Sequence, residues 1–422
     1  MSQNLTNKLR VISVFSGYDS QCMALDRIGV EYDLVAWAEI DKYAIAAHNA
    51  VYPQYAERNV GDVSLADWTK VEGDVDLLTY SSPCQDFSAA GLMRGGDEGS
   101  GTRSSLLWEV KRAIEVLRPK YLLMENVKNL VSKRFVGVFN DWLKVLEDYG
   151  YTNQWAVVNA KDFDVPQNRE RVFVVSSSVG LSGFGFPSKL GLHRRLKDVL
   201  EEKVEEKYYL RAEQVEGILE HCDRKVKEGC GFREAFRTPE EMATCISTKY
   251  GSRQTDTYVV EEVYGLGRTR DKKGNVANRP VQPYVNCLHT GIGGHCWDNM
   301  EVYAMEVVAG AVRGRDKGEN GYIQKLELNT EGTTNTLLSV SKDNYIVEYK
   351  GRWVRIRRLT PTEAFRLMDV DDSNIEKIKA AGISEAQMYK LAGNSIVVAP
   401  MAGILKNLLL RDECETDKPV LL

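Results

Sequence analysis

Over its first 176 residues the chain alternates short apolar runs with amphipathic stretches, and this constrains the fold more than any other feature. Apolar runs of strand length fall at 11–15, 34–38, 75–80, 121–124, 154–158 and 172–176. Helical spacing separates most of them, at 23–28, 41–52, 104–117 and 135–149, with stops at Gly29, Pro53, Pro119 and Gly150. Repeated strand-then-helix units predict an α/β fold, a mostly parallel sheet with helices on both faces. Such sheets host ligands at the carboxyl ends of their strands.

From about 181 to 350 the alternation gives way to short strand-like pieces rich in turn residues. Three segments there share one polar-apolar plan, starting at Ala243, Val285 and Thr334, but the offsets of 42 and 49 residues are unequal. A reused hairpin unit and chance both fit. The last 65 residues return to helical spacing, at 362–368, 384–391 and an apolar 394–410 interrupted by Pro400. The expected division is 1–180, 181–350 and 351–422, the last segment completing the first domain and the middle forming a smaller, β-rich one.

The formal net charge of -5 excludes an evenly basic protein held on nucleic acid by charge alone. A local basic cleft is still compatible with it, because binding follows charge distribution as well as total. No apolar run approaches the ~18 residues of a membrane span, and no signal core precedes the first strand, so a soluble, cytoplasmic monomer away from membranes is expected. The eight cysteines include no CxxC pair, which points to free thiols in a reducing compartment.

Five segments at strand-loop junctions could carry chemistry. In Phe15-Ser16-Gly17-Tyr18-Asp19-Ser20, glycine permits close backbone approach, and Glu39 follows 22 residues after Gly17, where a carboxylate typically meets ribose hydroxyls. The loop lacks the GxGxxG spacing that cradles a pyrophosphate, which argues against a nicotinamide-linked oxidoreductase. An ordinary tight turn has the same look. In Ser81-Ser82-Pro83-Cys84-Gln85, a thiol at the mouth of a sheet can be activated by helix dipoles, although most single cysteines are buried small hydrophobes. Glu125, in Met124-Glu125-Asn126-Val127, could act as a general acid or simply cap a helix. Arg169 and Arg171, in Gln167-Asn168-Arg169-Glu170-Arg171, point to one side of a strand entrance and suit an anion or a base carbonyl, or a solvated surface. The fifth segment is Arg358-Leu359-Thr360-Pro361-Thr362-Glu363-Ala364. Arg352, Arg355, Arg357 and Arg358 form a possible phosphate-contacting strip beside it.

Taken in this order, these segments and Gly393-Asn394-Ser395-Ile396-Val397 resemble the cytosine-C5 DNA methyltransferases. The likeness spans roughly 11–176 and 355–410, about half the chain. It implies an S-adenosyl-L-methionine (AdoMet) dependent, Rossmann-like catalytic domain with a target-recognition domain inserted at about 181–350. It also implies Cys84 as the nucleophile on C6 of a flipped-out cytosine, Glu125 at N3, Arg169 at the O2 edge and Arg171 in support. For the cofactor it implies Phe15 near the adenine, Gly17 and Ser20 in the loop, Glu39 on the ribose and Asp62 at the adenine amino group. Pro83, Asn394 and Ser395 would complete that pocket.

No metal is expected, because Cys287, His289, His295 and Cys296 are spaced too tightly for a zinc site. The implied partner is double-stranded DNA, in the setting of DNA methylation and restriction-modification, which allows a cognate restriction endonuclease acting separately. The glycine-rich 91–102 reads as a lid over DNA, and Arg268, Arg270, Lys272, Lys273 and Arg279 as a backbone contact. Two departures stand out. Tyr18-Asp19-Ser20 replaces the family's smaller residues, and Ser81-Ser82 replaces its Gly-Pro or Pro-Pro run. The rival readings are an inert DNA-binding homologue and a tRNA cytosine-C5 methyltransferase of the same fold.

Overall fold

In the computed structural model, the aliphatic runs near the N-terminus form the strands expected of them. The structure describes residues 8–82, 106–228, 236–248, 250, 256–262, 267–270, 276–279, 310–316, 322–328, 346–349 and 352–410. In chain order the elements are β1 (Leu9–Val14), α1 (Ser20–Arg27), β2 (Tyr32–Ala38), α2 (Lys42–Val51), β3 (Leu77–Tyr80), α3 (Glu109–Leu117), β4 (Tyr121–Val127), α4 (Val136–Asp148), β5 (Thr152–Asn159) and β6 (Glu170–Ser177). Then come α5 (Ala212–Lys227), β7 (Phe236–Arg237), β8 (Tyr258–Glu262), β9 (Gly267–Arg270), β10 (Val276–Arg279), β11 (Gly310–Asp316), β12 (Tyr322–Leu328), β13 (Ile346–Tyr349) and β14 (Arg352–Arg358). The last four are α6 (Pro361–Arg366), α7 (Asp372–Ala380), α8 (Glu385–Asn394) and α9 (Val398–Leu409).

Two compact units share the chain. The first comprises 1–199, 242–250 and 361–422, and the second 200–241 and 251–360. In the first, the sheet runs β2-β1-β3-β4-β6-β5. β1 is parallel to β2 and β3, and β3 to β4. The last two strands depart from the parallel plan: β6 is antiparallel to both β4 and β5. Only residues 160–169 join β5 to β6, fewer than the dozen or so that a crossover helix needs, so the chain turns back as a hairpin.

Period-two alternation divides the strand side chains between two layers. Ile12, Val14, Leu78, Tyr80, Leu122 and Met124 pack with Val110 and Ile114 of α3 and with Phe139, Trp142 and Leu146 of α4. Each such side chain contributes about 1.5–3 kcal/mol on burial. Trp142 Nε1 donates to the Tyr80 hydroxyl at 3.0 Å, so these two buried aromatic side chains satisfy each other's polar atoms. α1 packs on α9.

The apolar stretch 394–410 is not one helix. α8 ends at Asn394, the chain is extended through Ser395 and Val397, and α9 starts at Val398. Pro400 therefore sits in the first turn, where its missing N–H would have had no intrahelical partner anyway. By length and composition 385–409 could cross a membrane, but 78% of its apolar window is buried inside the protein, which is what core helices show.

In the second unit β13, β14, β8 and β7 form one sheet, with β14 antiparallel to both neighbours. β9–β10 and β11–β12 are antiparallel pairs. Residues 352–358, grouped by the sequence with the C-terminal segment, pair with β8 and β13 and belong to this sheet. The strip reading is corrected at Arg357, which burial removes from any phosphate contact. Arg357 is 0% exposed and paired with Glu261, Arg355 pairs with Glu206 and lies 3.6 Å above the Tyr209 ring, and Arg358 donates to the Lys207 carbonyl. Glu261 on β8 answers the charge of Arg357 within the unit.

Candidate active site

The loop after β1 turns through three left-handed residues, Phe15, Gly17 and Asp19, with φ of 57°, 60° and 68°. The turn directs the Gly17 N–H at Glu39 Oε2, 3.0 Å away. Glu39 Oε1 accepts from the N–H groups of Ile40 and Asp41, both at 2.8 Å. Asn59 ties in the next loop: its Oδ1 accepts from Glu39 N and Gly61 N, and its Nδ2 donates to the Glu39 carbonyl. Asp62 follows, with Oδ1 accepting from the backbone and hydroxyl of Ser64. Gly17, Glu39 and Asp62, far apart in sequence, thus lie on loops stitched together by an asparagine that the sequence reading missed. Gly17 and Gly61 both have positive φ and open space where a Cβ would project. That is a cradle two side chains would fill, flanked by carboxylates, and it fits a cationic nucleoside such as AdoMet. Phe15 is half-buried beside it.

Tyr18, Asp19 and Ser20 are all buried. Tyr18 packs on Phe365 at 5.2 Å, and burial pushes its hydroxyl up to about 12. Asp19 caps α1 through Cys22 N, accepts from Ser13 Oγ at 3.2 Å and faces His48 Nε2 at 3.4 Å. His48 stacks on Trp37 with ring centres 3.7 Å apart. Ser20 Oγ lies 2.6 Å from Ser395 Oγ. The larger residues of this loop therefore point into the protein, and the hydroxyls of the two candidate cofactor serines bond each other. Asn394 is exposed at the end of α8.

Glu125, near the end of β4, is 4% exposed. Its Oε2 accepts from Ser81 Oγ, and its Oε1 lies 3.0 Å from Arg171 Nε. Asn126 Nδ2 donates to the carbonyl and the hydroxyl of Ser82 at 3.3 and 3.1 Å. The Ser81-Ser82 departure now has a physical account, since each serine answers one polar side chain of β4. Pro83 and Cys84 follow directly but lie outside the described residues, as do 91–102, Lys272, Lys273, Cys287, His289, His295 and Cys296. Arg268 and Arg270 are on β9 and Arg279 on β10.

Arg169 takes a different part from Arg171. It is 3% exposed. Nη1 donates to the Ile246 carbonyl at 3.0 Å and meets Cys245 Sγ at 3.3 Å, and Nη2 donates to the carbonyls of Gly393 and Ser395 at 3.0 and 2.6 Å. Burial, and then the neighbouring Arg171, hold its pKa below the usual guanidinium value. Buried Gln167 works alongside it, donating to the Leu367 carbonyl and accepting from Ile246 N. Together they fasten 242–250 and the C-terminal helices to the arginine segment. Gly393 lets that backbone close in, because a Cβ there would collide with Ser247 and Thr248. Both arginines project to one side, as alternation predicts, but Arg171 alone meets Glu125 while Arg169's two terminal nitrogens are engaged elsewhere. Gln167 and Asn126 stand inside motifs that gave them no role, and Cys245 stands in the first of the three similar segments with no role either.

Comparison with known proteins extends these local findings to nearly the whole chain. The family model described as C-5 cytosine-specific DNA methylase matches residues 9–409. The type II methyltransferase M2.ScrFI of Lactococcus lactis subsp. cremoris is 29% identical, across 95% of this chain and 99% of its own. The orphan methyltransferase M.SPRI of Bacillus phage SPR is 30% identical, across 95% and 98%. Among solved structures, the Dnmt2 methyltransferase of S. pombe superposes with a TM-score of 0.58 at 17% identity, covering 96% of this chain and 99% of that one. The Entamoeba histolytica methyltransferase EhMeth gives 0.59 at 15%, covering 96% and 100%. At those identities the structures speak for the fold.

Proposed function

The chain belongs to the C-5 cytosine-specific DNA methylase family, and from that premise we propose that it methylates C5 of a flipped-out cytosine at a specific site in duplex DNA, through a covalent bond from Cys84 to C6. The observation that carries this reading is the buried Glu125, held between Ser81 and Arg171 on the strand next to the one leading into Cys84.

C5 of cytosine is a weak nucleophile. The Cys84 thiol gives its proton to solvent and the thiolate adds to C6, which makes the ring electron-rich at C5; a proton delivered to N3 through Glu125 keeps negative charge from building on the ring. Arg171 orients that carboxyl, and with Arg169 engaged by carbonyls the O2 edge falls to Arg171 as well. Bound AdoMet supplies an electrophilic methyl group. Loss of the C5 proton to solvent re-forms the C5–C6 double bond and expels Cys84 as the thiolate, with the electron pair of the Cys84–C6 bond. Gly17, Glu39, Asp62 and the backbone around Phe15 would hold the cofactor, with Pro83, Asn394 and the Ser20–Ser395 pair closing the pocket. Flipping costs a few kcal/mol, and residues 91–102 would close over the DNA. We assign target recognition to the second unit and expect the protein to act as a monomer; a separately acting nuclease is compatible with this reading.

The test is bisulfite sequencing of unmethylated DNA after incubation with the protein and AdoMet. Methylation confined to one short context is expected. Unchanged DNA, or methylation of transfer RNA in its place, would overturn the reading.

A further inference from the structure

Among the described residues, two side chains touch the carboxyl of the buried Glu125. Arg171 Nε lies 3.0 Å from Oε1, and the Ser81 hydroxyl bonds Oε2. The two partners are not equivalent. A guanidinium has N–H donors and no acceptor, so it can serve a carboxylate but cannot receive the proton of a carboxylic acid. A hydroxyl can turn and do either. Strand pairing puts the serine there: Tyr80 of β3 is level with Met124 of β4, so the next residues along, Ser81 and Glu125, lie side by side. A Gly-Pro or Pro-Pro run at 81–82 would have no hydroxyl to offer, so the contact comes from this chain's own serine.

We propose that Ser81 is a positioning residue for the proton of Glu125: its hydroxyl accepts from Oε2–H while the carboxyl is an acid, and turns to donate once that proton has gone to N3. This rests on the reading that Glu125 serves N3. In the forward step the Oε2–H bond breaks, the N3–H bond forms, and the electron pair stays on Oε2. The carboxylate left behind is bonded on both oxygens, by Ser81 and by Arg171. When the ring returns the proton after Cys84 leaves, Ser81 turns back. Each change needs only rotation about the serine C–O bond. A fixed donor in its place would favour the carboxylate throughout, and a methyl group would leave one oxygen of a buried carboxylate without a donor.

The test is single-turnover methyl transfer by the full chain to a duplex oligonucleotide carrying the context found by bisulfite sequencing, with AdoMet and DNA affinities measured alongside. Ser81→Ala is expected to slow methyl transfer at saturation by about ten- to a hundredfold, with both dissociation constants within about twofold of wild type. Ser81→Thr and Ser81→Val have nearly the same shape, so a packing effect moves both alike. Threonine, which keeps the hydroxyl, is expected to be faster than valine by about tenfold. Wild-type turnover in Ser81→Ala would overturn the proposal. So would threonine no faster than valine, or a loss that lies in the affinities alone. Each of those outcomes leaves the reading of Glu125 standing, whereas a wild-type protein that methylates no DNA sinks both.

Discussion

Arg171 Nε lies 3.0 Å from Glu125 Oε1, while Arg169, two residues earlier, bonds three backbone carbonyls and a thiol. Two arginines that look equivalent in the sequence therefore have separable roles, one at the candidate reaction centre and one in the architecture.

Arg171→Gln leaves the Glu125 carboxylate buried without its cation. A loss of about 3–5 kcal/mol in unfolding free energy is expected, with methyl transfer reduced about hundredfold or more. Denaturant titration and single-turnover assays read the two effects separately, and wild-type turnover in this variant would remove Arg171 from the reaction.

Arg169→Lys keeps the charge, but one ammonium cannot span Ile246, Gly393 and Ser395. The urea midpoint should fall, by about 2–4 kcal/mol in stability. Because the lost bonds hold the 242–250 segment, limited proteolysis should cut there first. A melting profile matching the wild type would contradict the clamp.

Gly393→Ala and Gly17→Ala separate packing from binding. At 393 the new methyl group meets backbone, so stability should drop by about 1–3 kcal/mol. At 17 the space is open and only the left-handed φ of 60° opposes the change, costing about 1–2 kcal/mol. That second methyl group would enter the cradle, and AdoMet affinity by calorimetry should weaken more than for Gly393→Ala. The opposite order would displace Gly17 from the cofactor site.

Ser20→Ala and Ser395→Ala should be coupled. A double-mutant cycle on thermal stability is expected to give about 0.5–1.5 kcal/mol of interaction. Additivity would mean the bond does not persist in solution.

Asp41 links α2 to α8 through Lys390 Nζ at 2.6 Å and caps α2 through Tyr43 N. Partial burial pushes its carboxyl up, but Lys390 and the backbone N–H groups outweigh this and its pKa is lowered. A depressed carboxylate contributes stability that is fully present above its unfolded pKa of about 3.9 and disappears as pH falls through the folded value. Asp41→Asn should therefore melt below the wild type at neutral pH, and the gap should close as the pH falls through that acid range. A gap independent of pH would refute the ion pair.

Much of the first unit was legible. The strand-helix alternation gave β1 to β4 in parallel, and Gly29, Pro53 and Gly150 marked helix ends, because these signals are local and repeat. The antiparallel return of β6 was not legible from hydrophobic period, which says nothing of strand direction; the short link between β5 and β6 was its one trace. Pro400 misled in the other direction, since a proline in a first turn and one in a helix interior look identical until the preceding helix is known to stop at Asn394.

The site was legible as a set of residue types and obscure as a set of roles. Sequence order alone brought out Glu125, Arg169, Arg171, Gly17 and Glu39, because each kind of chemistry requires particular groups at strand ends. Which arginine meets Glu125, why two serines precede Pro83, and that an exposed cysteine from the 242–250 segment lies against both guanidiniums were settled only by tertiary structure. The site depends on contacts between segments far apart in the chain, 226 residues between Arg169 and Ser395 and 375 between Ser20 and Ser395, and local spacing carries no record of such closures.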